Sequence, residues 1–323
     1  MKKNIIYYIF GLLSFIIPVY GQSDNAFDPH GSPYMTVFFN YHTDWENITK
    51  IEIKRAYLGY KYHFSKEISA KTNIDVGMIE GKYVAYLKSA MLQYKKGKIK
   101  VKAGLIPTKQ FKVQEKFWGY RYILKSMQDL YKFNASSDLG ISLDYRLANN
   151  LSVDFIIQNG EGYKHIESTG TFRAGTGISW TPAEGLLLRI YSDYSGKPAV
   201  KRISYTGFAG YKYKKMFRIA AEYSYQEGTE FIADNKMKGF SVYGTYNFNE
   251  KWNVFGRIDR FSHDFPYPEG TSLINEEGTF GTGGFEYKPV KGVYISANYR
   301  AMISSSSLPY SRPLFYLNLA FKI

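Results

Sequence analysis

Leu139-Gly140-Ile141-Ser142-Leu143-Asp144-Tyr145-Arg146, then Ala148-Asn149-Asn150, then Leu151-Ser152-Val153-Asp154-Phe155-Ile156-Ile157-Gln158: in both runs the odd-numbered side chains are apolar or aromatic, and a short polar turn joins them. Alternation of this kind makes a β-strand with one apolar and one polar face. Two such runs around a polar dipeptide read as a hairpin. The same period extends from Pro33 almost to Ile323, and sixteen stretches fit it, the first at 34–43 and the last at 313–323. Most of them are 10 to 12 residues long. That is the length a tilted strand needs to cross a bilayer, about twice the usual length of a soluble strand.

The links between the stretches sort by length. Short polar turns such as Ser65-Lys66-Glu67, Lys95-Lys96-Gly97 and Lys214-Lys215 alternate with longer segments such as 159–169, 227–237 and 263–276, with Glu80-Gly81-Lys82 the one exception. Outer-membrane barrels show this asymmetry between short periplasmic turns and longer external loops. An even strand count places both ends on the periplasmic side. The apolar face repeatedly meets a short turn at an aromatic residue (Tyr62, Tyr94, Trp180, Tyr211, Phe248, Trp252, Tyr287), as in the girdle of a membrane interface. A soluble sandwich would bury the apolar face instead, but sixteen strands enclose a lumen too wide for side chains to fill. The fold expected is all-β: a 16-stranded antiparallel transmembrane β-barrel with a long inward-folding loop between the fifth and sixth strands.

That loop, 108–136, has no period of two and carries Lys109, Lys112, Lys116, Arg121, Lys125 and Lys132 against Glu115 and Asp129. Its Phe111, Phe117, Trp118, Tyr120, Tyr122, Ile123 and Leu124 make it too apolar for disorder. A segment of this length inside a compact fold is usually functional. Folded inward, it would set the field at the narrowest point of the bore, where rings of Lys and Arg favour anions.

At the N-terminus, Lys2 and Lys3 precede an apolar stretch from Ile5 to Val19 and a small residue, Gly21, which reads as a signal peptide over 1–21 ahead of a barrel over 22–323. No Cys is present, so disulfides and thiolate metal sites are excluded. Without residues 1–21 the chain keeps 40 basic against 28 acidic residues. Such an excess attracts anionic solutes or lipopolysaccharide phosphates, and export argues against nucleic acid as a partner. The five histidines are scattered with no metal-binding spacing, and no Gly-x-Ser-x-Gly, phosphate-loop or dinucleotide motif occurs. Neither an enzyme nor a cofactor is expected.

With lipid outside, the polar face lines water, and it carries Arg55, Lys98, Lys100, Lys102, Arg146, Arg173, Arg189, Arg218, Arg257 and Arg300. Together with Lys112, Lys116, Arg121 and Lys125 of the loop, these are the candidate pore-lining, anion-binding residues. Lys98, Lys100 and Lys102, at spacing two on one strand, would point the same way roughly 6.6 Å apart.

Four segments also resemble a known family. Ile53-Lys54-Arg55-Ala56-Tyr57-Leu58-Gly59, Ala103-Gly104-Leu105-Ile106-Pro107, Phe117-Trp118-Gly119-Tyr120-Arg121-Tyr122-Ile123 and Ser136-Ser137-Asp138-Leu139-Gly140 look like the phosphate-selective porins O and P of Gram-negative outer membranes. The layout is similar over 33–323 and the specific words lie within 51–146. The resemblance implies a 16-stranded barrel, commonly a homotrimer, with basic ladders guiding phosphate-like anions past an inward loop. By position Arg55, Lys98, Lys100, Lys102, Lys112, Lys116, Arg121 and Lys125 fall where such basic residues belong. The function expected is an outer-membrane porin for passive diffusion of small, preferentially anionic solutes. The alternative is a non-conducting barrel subunit of an export or assembly complex, its lumen filled by 108–136.

Overall fold

Sixteen strands close on themselves. They are β1 (His30–Thr43), β2 (Thr49–His63), β3 (Ile68–Ile79), β4 (Lys82–Lys96), β5 (Ile99–Pro107), β6 (Ser137–Ala148), β7 (Leu151–Gln158) and β8 (Arg173–Trp180), followed by β9 (Leu186–Gly196), β10 (Lys201–Tyr213), β11 (Phe217–Glu227), β12 (Lys236–Asn247), β13 (Trp252–His263), β14 (Gly278–Tyr287), β15 (Val293–Ser304) and β16 (Ser311–Lys322). The structure is a computed structural model that describes residues 27–46, 49–79, 81–165, 170–196, 201–264, 277–304 and 311–323. The signal peptide expected over 1–21 lies outside the described residues. Every strand runs antiparallel to its neighbours in the chain, and β1 pairs with β16, Val37 opposite Phe321 and Thr43 opposite Phe315. No strand edge is left open, which is what a bilayer demands of a β-protein.

The faces are as the alternation predicts over the outer wall. Ile141, Phe155, Ile157, Ile190, Ile219 and Ile258 are exposed on the outside, while Asp154, Asp193, Glu222, Asp259 and Asn318 are buried inside. No helix among the described residues is long and apolar enough to cross a membrane. At the short-turn end the aromatics pair up on the outer surface: Trp252 stacks on Tyr287 at 4.5 Å, and Tyr246 meets Phe248 edge-on at 5.3 Å. One strand start differs from expectation. β5 begins at Ile99, so Lys98 sits in the turn beside Gly97 (φ +56) rather than in a ladder with Lys100 and Lys102. Gly97 there adopts the left-handed conformation that a side chain disfavours, and so it fixes the turn one residue later.

After Pro107 the chain turns into the bore. It forms two short helices, α1 (Lys112–Trp118) and α2 (Met127–Leu130), neither of which the sequence pattern announces. Helix α1 stops at Gly119, whose φ of +79 and position 2.8 Å (ideal Cβ) from Arg218 Nη2 leave no room for a side chain. The segment's apolar side chains seek cover against the inner wall. Trp118, Tyr120, Tyr122, Ile123 and Leu124 pack with Phe38, Phe208, Tyr243, Phe255, Phe280 and Met302 in one cluster, and Met127, Tyr131 and Phe133 pack with Met237 and Phe261 in a second. Each large apolar side chain fully covered in this way stabilises docking by roughly 1.5–3 kcal/mol. Here the reading that the whole inner face lines water needs correcting. On β10 and β12 to β15 the inner face is partly aromatic, and the loop, not water, covers it.

Candidate functional site

An irregular segment buried in a barrel has carbonyl groups that no ladder satisfies, and buried backbone groups left unpaired are costly. The wall supplies the partners. Arg189 Nη2 donates to Lys109 O at 3.0 Å, Arg218 Nη2 to Trp118 O at 2.8 Å and Arg300 Nη2 to Ile123 O at 2.9 Å, while Arg257 Nη1 donates to Lys125 O. Arg173 Nη2 reaches the Gln110 side chain at 2.9 Å. Arg173, Arg189 and Arg257 also pair with Asp193, Asp154 and Asp259, and each of the three arginines is only 2% exposed. Neutral side chains of the loop complete the clamp: Tyr120 Oη donates to Asn253 Oδ1 (2.8 Å), Tyr122 Oη to Glu286 Oε1 (2.9 Å) and Gln128 Nε2 to Glu222 Oε2 (3.2 Å). These five arginines are on the inward face, as the alternation placed them, but they face the loop and not open water.

The other half of the bore, against β2 to β6, is lined by charge. Asp75 of β3 is fully buried and receives three groups: Arg55 Nη1 of β2 at 3.3 Å, Lys88 Nζ of β4 at 2.9 Å and the Tyr163 hydroxyl, which donates at 2.9 Å. Lys88 lies over the rings of Tyr57 (5.1 Å) and Tyr163 (5.0 Å), and Lys164 over that of Tyr86 (5.0 Å). Turned toward them, the loop holds its own network. Arg121 contacts Asp129 (3.3 Å) and Glu115 (3.6 Å), Lys125 contacts Asp129 (3.3 Å), and Lys112 contacts Glu115 (2.6 Å). Burial alone would raise the Asp129 carboxyl, but Lys125 and Arg121 outweigh it and hold the group well below the ordinary carboxylate range.

Farther toward the short turns, Asp144 of β6 binds Lys100 at 3.0 Å and also Lys109 of the loop. Lys102 is half-buried on the same inner face, and Lys71 Nζ lies 4.9 Å from the centre of the Tyr34 ring. Two cavities lie beside these groups. One of about 400 Å³ is lined by Arg55, Lys125, Asp129, Asn134, Tyr163 and Lys164, and one of about 330 Å³ by Tyr34, Lys61, Ser69, Lys71, Met91 and Gln93.

The structure thus gathers Arg55, Lys100, Lys102, Lys112, Arg121 and Lys125 on one side of the bore. It places Lys116 exposed on α1, Arg146 exposed near the end of β6 and Lys98 in a turn, all apart from that cluster. Lys88, Tyr163 and Lys164 belong to the site and were not singled out from the sequence. Alternation could not find Lys88: the register passes from Ser89 opposite Asn73 to Leu87 opposite Ile74, so Lys88 is the bulged residue, and the parity that puts Tyr94 outside breaks there. Among the described residues no group of His, Asp and Glu is arranged to hold a metal ion.

Residues 133–314, more than half of the chain, match the family described as "Putative beta-barrel porin-2, OmpL-like". The chain belongs to this family. As an OmpL-like β-barrel porin it is an outer-membrane protein, with its apolar wall in lipid, and a channel rather than an enzyme. No curated protein matches it. Among solved structures it is similar to OmpF of Salmonella typhi in complex with daunomycin (TM-score 0.69, 14% identity, covering 91% of this chain and 97% of that one). It is also similar to the outer-membrane channel DcaP of Acinetobacter baumannii (0.65, 12%, 92% and 98%) and to the trimer form of in-vitro folded OmpT of Vibrio cholerae (0.65, 13%, 92% and 100%). At these identities the likeness is one of fold.

Proposed function

We propose that this porin passes small, preferentially anionic solutes by diffusion along the β2 to β6 side of the bore, past the loop 108–136. One observation carries the reading. On that side Arg55, Lys61, Lys71, Lys88, Lys100, Lys102, Lys109, Lys112, Arg121 and Lys125 outnumber Glu52, Asp75, Glu115, Asp129, Asp138 and Asp144 by ten to six, so pairing cannot neutralise the surplus. In a confined, low-dielectric bore such a surplus raises the local concentration of anions. Phosphate-like anions suit the mixture of lysine and arginine donors. On this reading Arg173, Arg189, Arg218, Arg257 and Arg300 act by holding the loop against the opposite wall. The exposed apolar belt meets outer-membrane lipid and lipopolysaccharide, and a homotrimer, the form in which Vibrio cholerae OmpT is described, is the assembly we propose.

The test is a planar-bilayer recording on the purified protein in a tenfold KCl gradient. The zero-current potential is expected on the chloride side. A potential on the potassium side refutes the selectivity, and a barrel that does not conduct refutes the channel in favour of a non-conducting subunit of a larger complex.

A further inference from the structure

The chain's positive charge does not reside only in the bore. All seven short turns are described, and they carry Lys66, Lys98, Lys214, Lys215, Lys251, Lys288 and Lys291 against only Glu67, Glu184 and Glu250. Lys95 and Lys96, exposed at the end of β4, add to the excess. Lys288 turns inward to Glu286 at 3.1 Å, and Lys215 approaches Glu250 only at 4.0 Å with both side chains almost fully in solvent. An exposed pair at that distance contributes little, so most of these lysines have no acidic partner to satisfy them.

Their height matters. The turn β10–β11 lies next to the outward aromatics Tyr213 and Phe217, whose rings are 5.6 Å apart, and the turn β12–β13 lies next to Tyr246 and Phe248. Lys214 Nζ sits 5.4 Å from the centre of the Tyr213 ring. Between these two turns is a recess of about 740 Å³ lined by apolar Met216, Phe217 and Phe248 and by Lys212, Lys214, Lys215, Arg218 and Lys288, against the single carboxylate of Glu250. Aromatic girdles mark the boundary between hydrocarbon and headgroups. Lysines placed just beyond such a girdle stand at the depth of lipid phosphates. A recess with an apolar wall and a cationic rim fits a molecule that is oily at one end and anionic at the other.

We propose that the short-turn end of the barrel is a docking surface for anionic phospholipids of the inner leaflet, with the recess between the β10–β11 and β12–β13 turns as its best-formed site. Lys214 and Lys215 hold the phosphate, and Met216, Phe217 and Phe248 cover the glycerol ester and first methylenes. The inference is independent of solute selectivity, because none of these lysines belongs to the cluster on β2 to β6.

Native mass spectrometry of the full barrel, released from micelles holding equal phosphatidylglycerol and phosphatidylcholine, tests it. A lysine near an anionic surface is worth about fivefold in partitioning, so phosphatidylglycerol should be retained over phosphatidylcholine by more than tenfold. Lys214→Gln with Lys215→Gln and Lys251→Gln should remove that preference. Lys82→Gln with Lys238→Gln, exposed at the opposite end, should leave it intact. Equal retention of the two lipids, or equal loss in both variants, overturns the proposal. Full displacement of phosphatidylglycerol by millimolar inorganic phosphate also overturns it, because the lysines would then serve free anions.

Discussion

Trp118→Ala is the perturbation that tests whether the loop sets the bore. The indole is 1% exposed, contacts Tyr120, Tyr243 and Phe255 edge-on at 5.0, 5.2 and 6.0 Å, and donates its Nε1 hydrogen to Leu124 O at 3.0 Å. Truncating a buried Trp to Ala costs roughly 3–5 kcal/mol, and the lost hydrogen bond adds about 1. Nearly all of this falls on loop docking, since the strand ladders do not involve Trp118. At tenfold per 1.4 kcal/mol, the ratio of docked to undocked loop should fall by about 10³ or more. Single-channel recordings in a planar bilayer should therefore show higher mean conductance and faster current fluctuations than the native protein. Phe255→Ala, which removes the wall side of the same contact, should reproduce the effect, and Trp118→Phe should stay close to native. Native conductance and native noise in Trp118→Ala would refute the view that the docked loop limits the passage.

Three further outcomes follow from the charges. Lys112→Glu with Lys125→Glu should reduce the chloride-to-potassium permeability ratio severalfold, read as a shift of zero-current potential in a KCl gradient. Lys102→Glu should shift that potential in the same direction, whereas Lys98→Glu, in the turn, should leave it unchanged. Asp129→Asn should raise the chloride preference at neutral pH by freeing Arg121 and Lys125. Because the folded-state pKa of Asp129 is depressed, its ion pairs contribute fully above the unfolded value of about 4 and are lost as pH falls through the lower folded value. The gap between native and Asp129→Asn channels should persist from pH 8 to about pH 4 and close only below it.

The barrel was legible because its signal is local. Alternation assigns a face within four or five residues, and turn lengths sort by parity without any knowledge of distant partners, so β6, β7 and their Asn149-Asn150 turn could be read directly. What fills the lumen is not local. Arg300 donates to Ile123 O across 177 residues and Arg189 to Lys109 O across 80. Inward parity finds both arginines yet says nothing of whether water or a carbonyl stands opposite. The helices α1 and α2, seven and four residues long, are too short to show a 3.6 period and owe their existence to the wall they pack on. Lys98 was misplaced for a smaller reason: nothing in Lys95-Lys96-Gly97-Lys98 says where the turn ends, and only the left-handed Gly97 decides it.

The barrel's external rim is uneven. Only residues 80–81 separate β3 from β4, whereas 29 residues separate β5 from β6 and 14 separate β7 from β8. That shortest link joins the two strands that supply Asp75 and Lys88. A link that short leaves β3 and β4 little freedom to slide past one another, so the hairpin itself fixes the contact between Asp75 and Lys88.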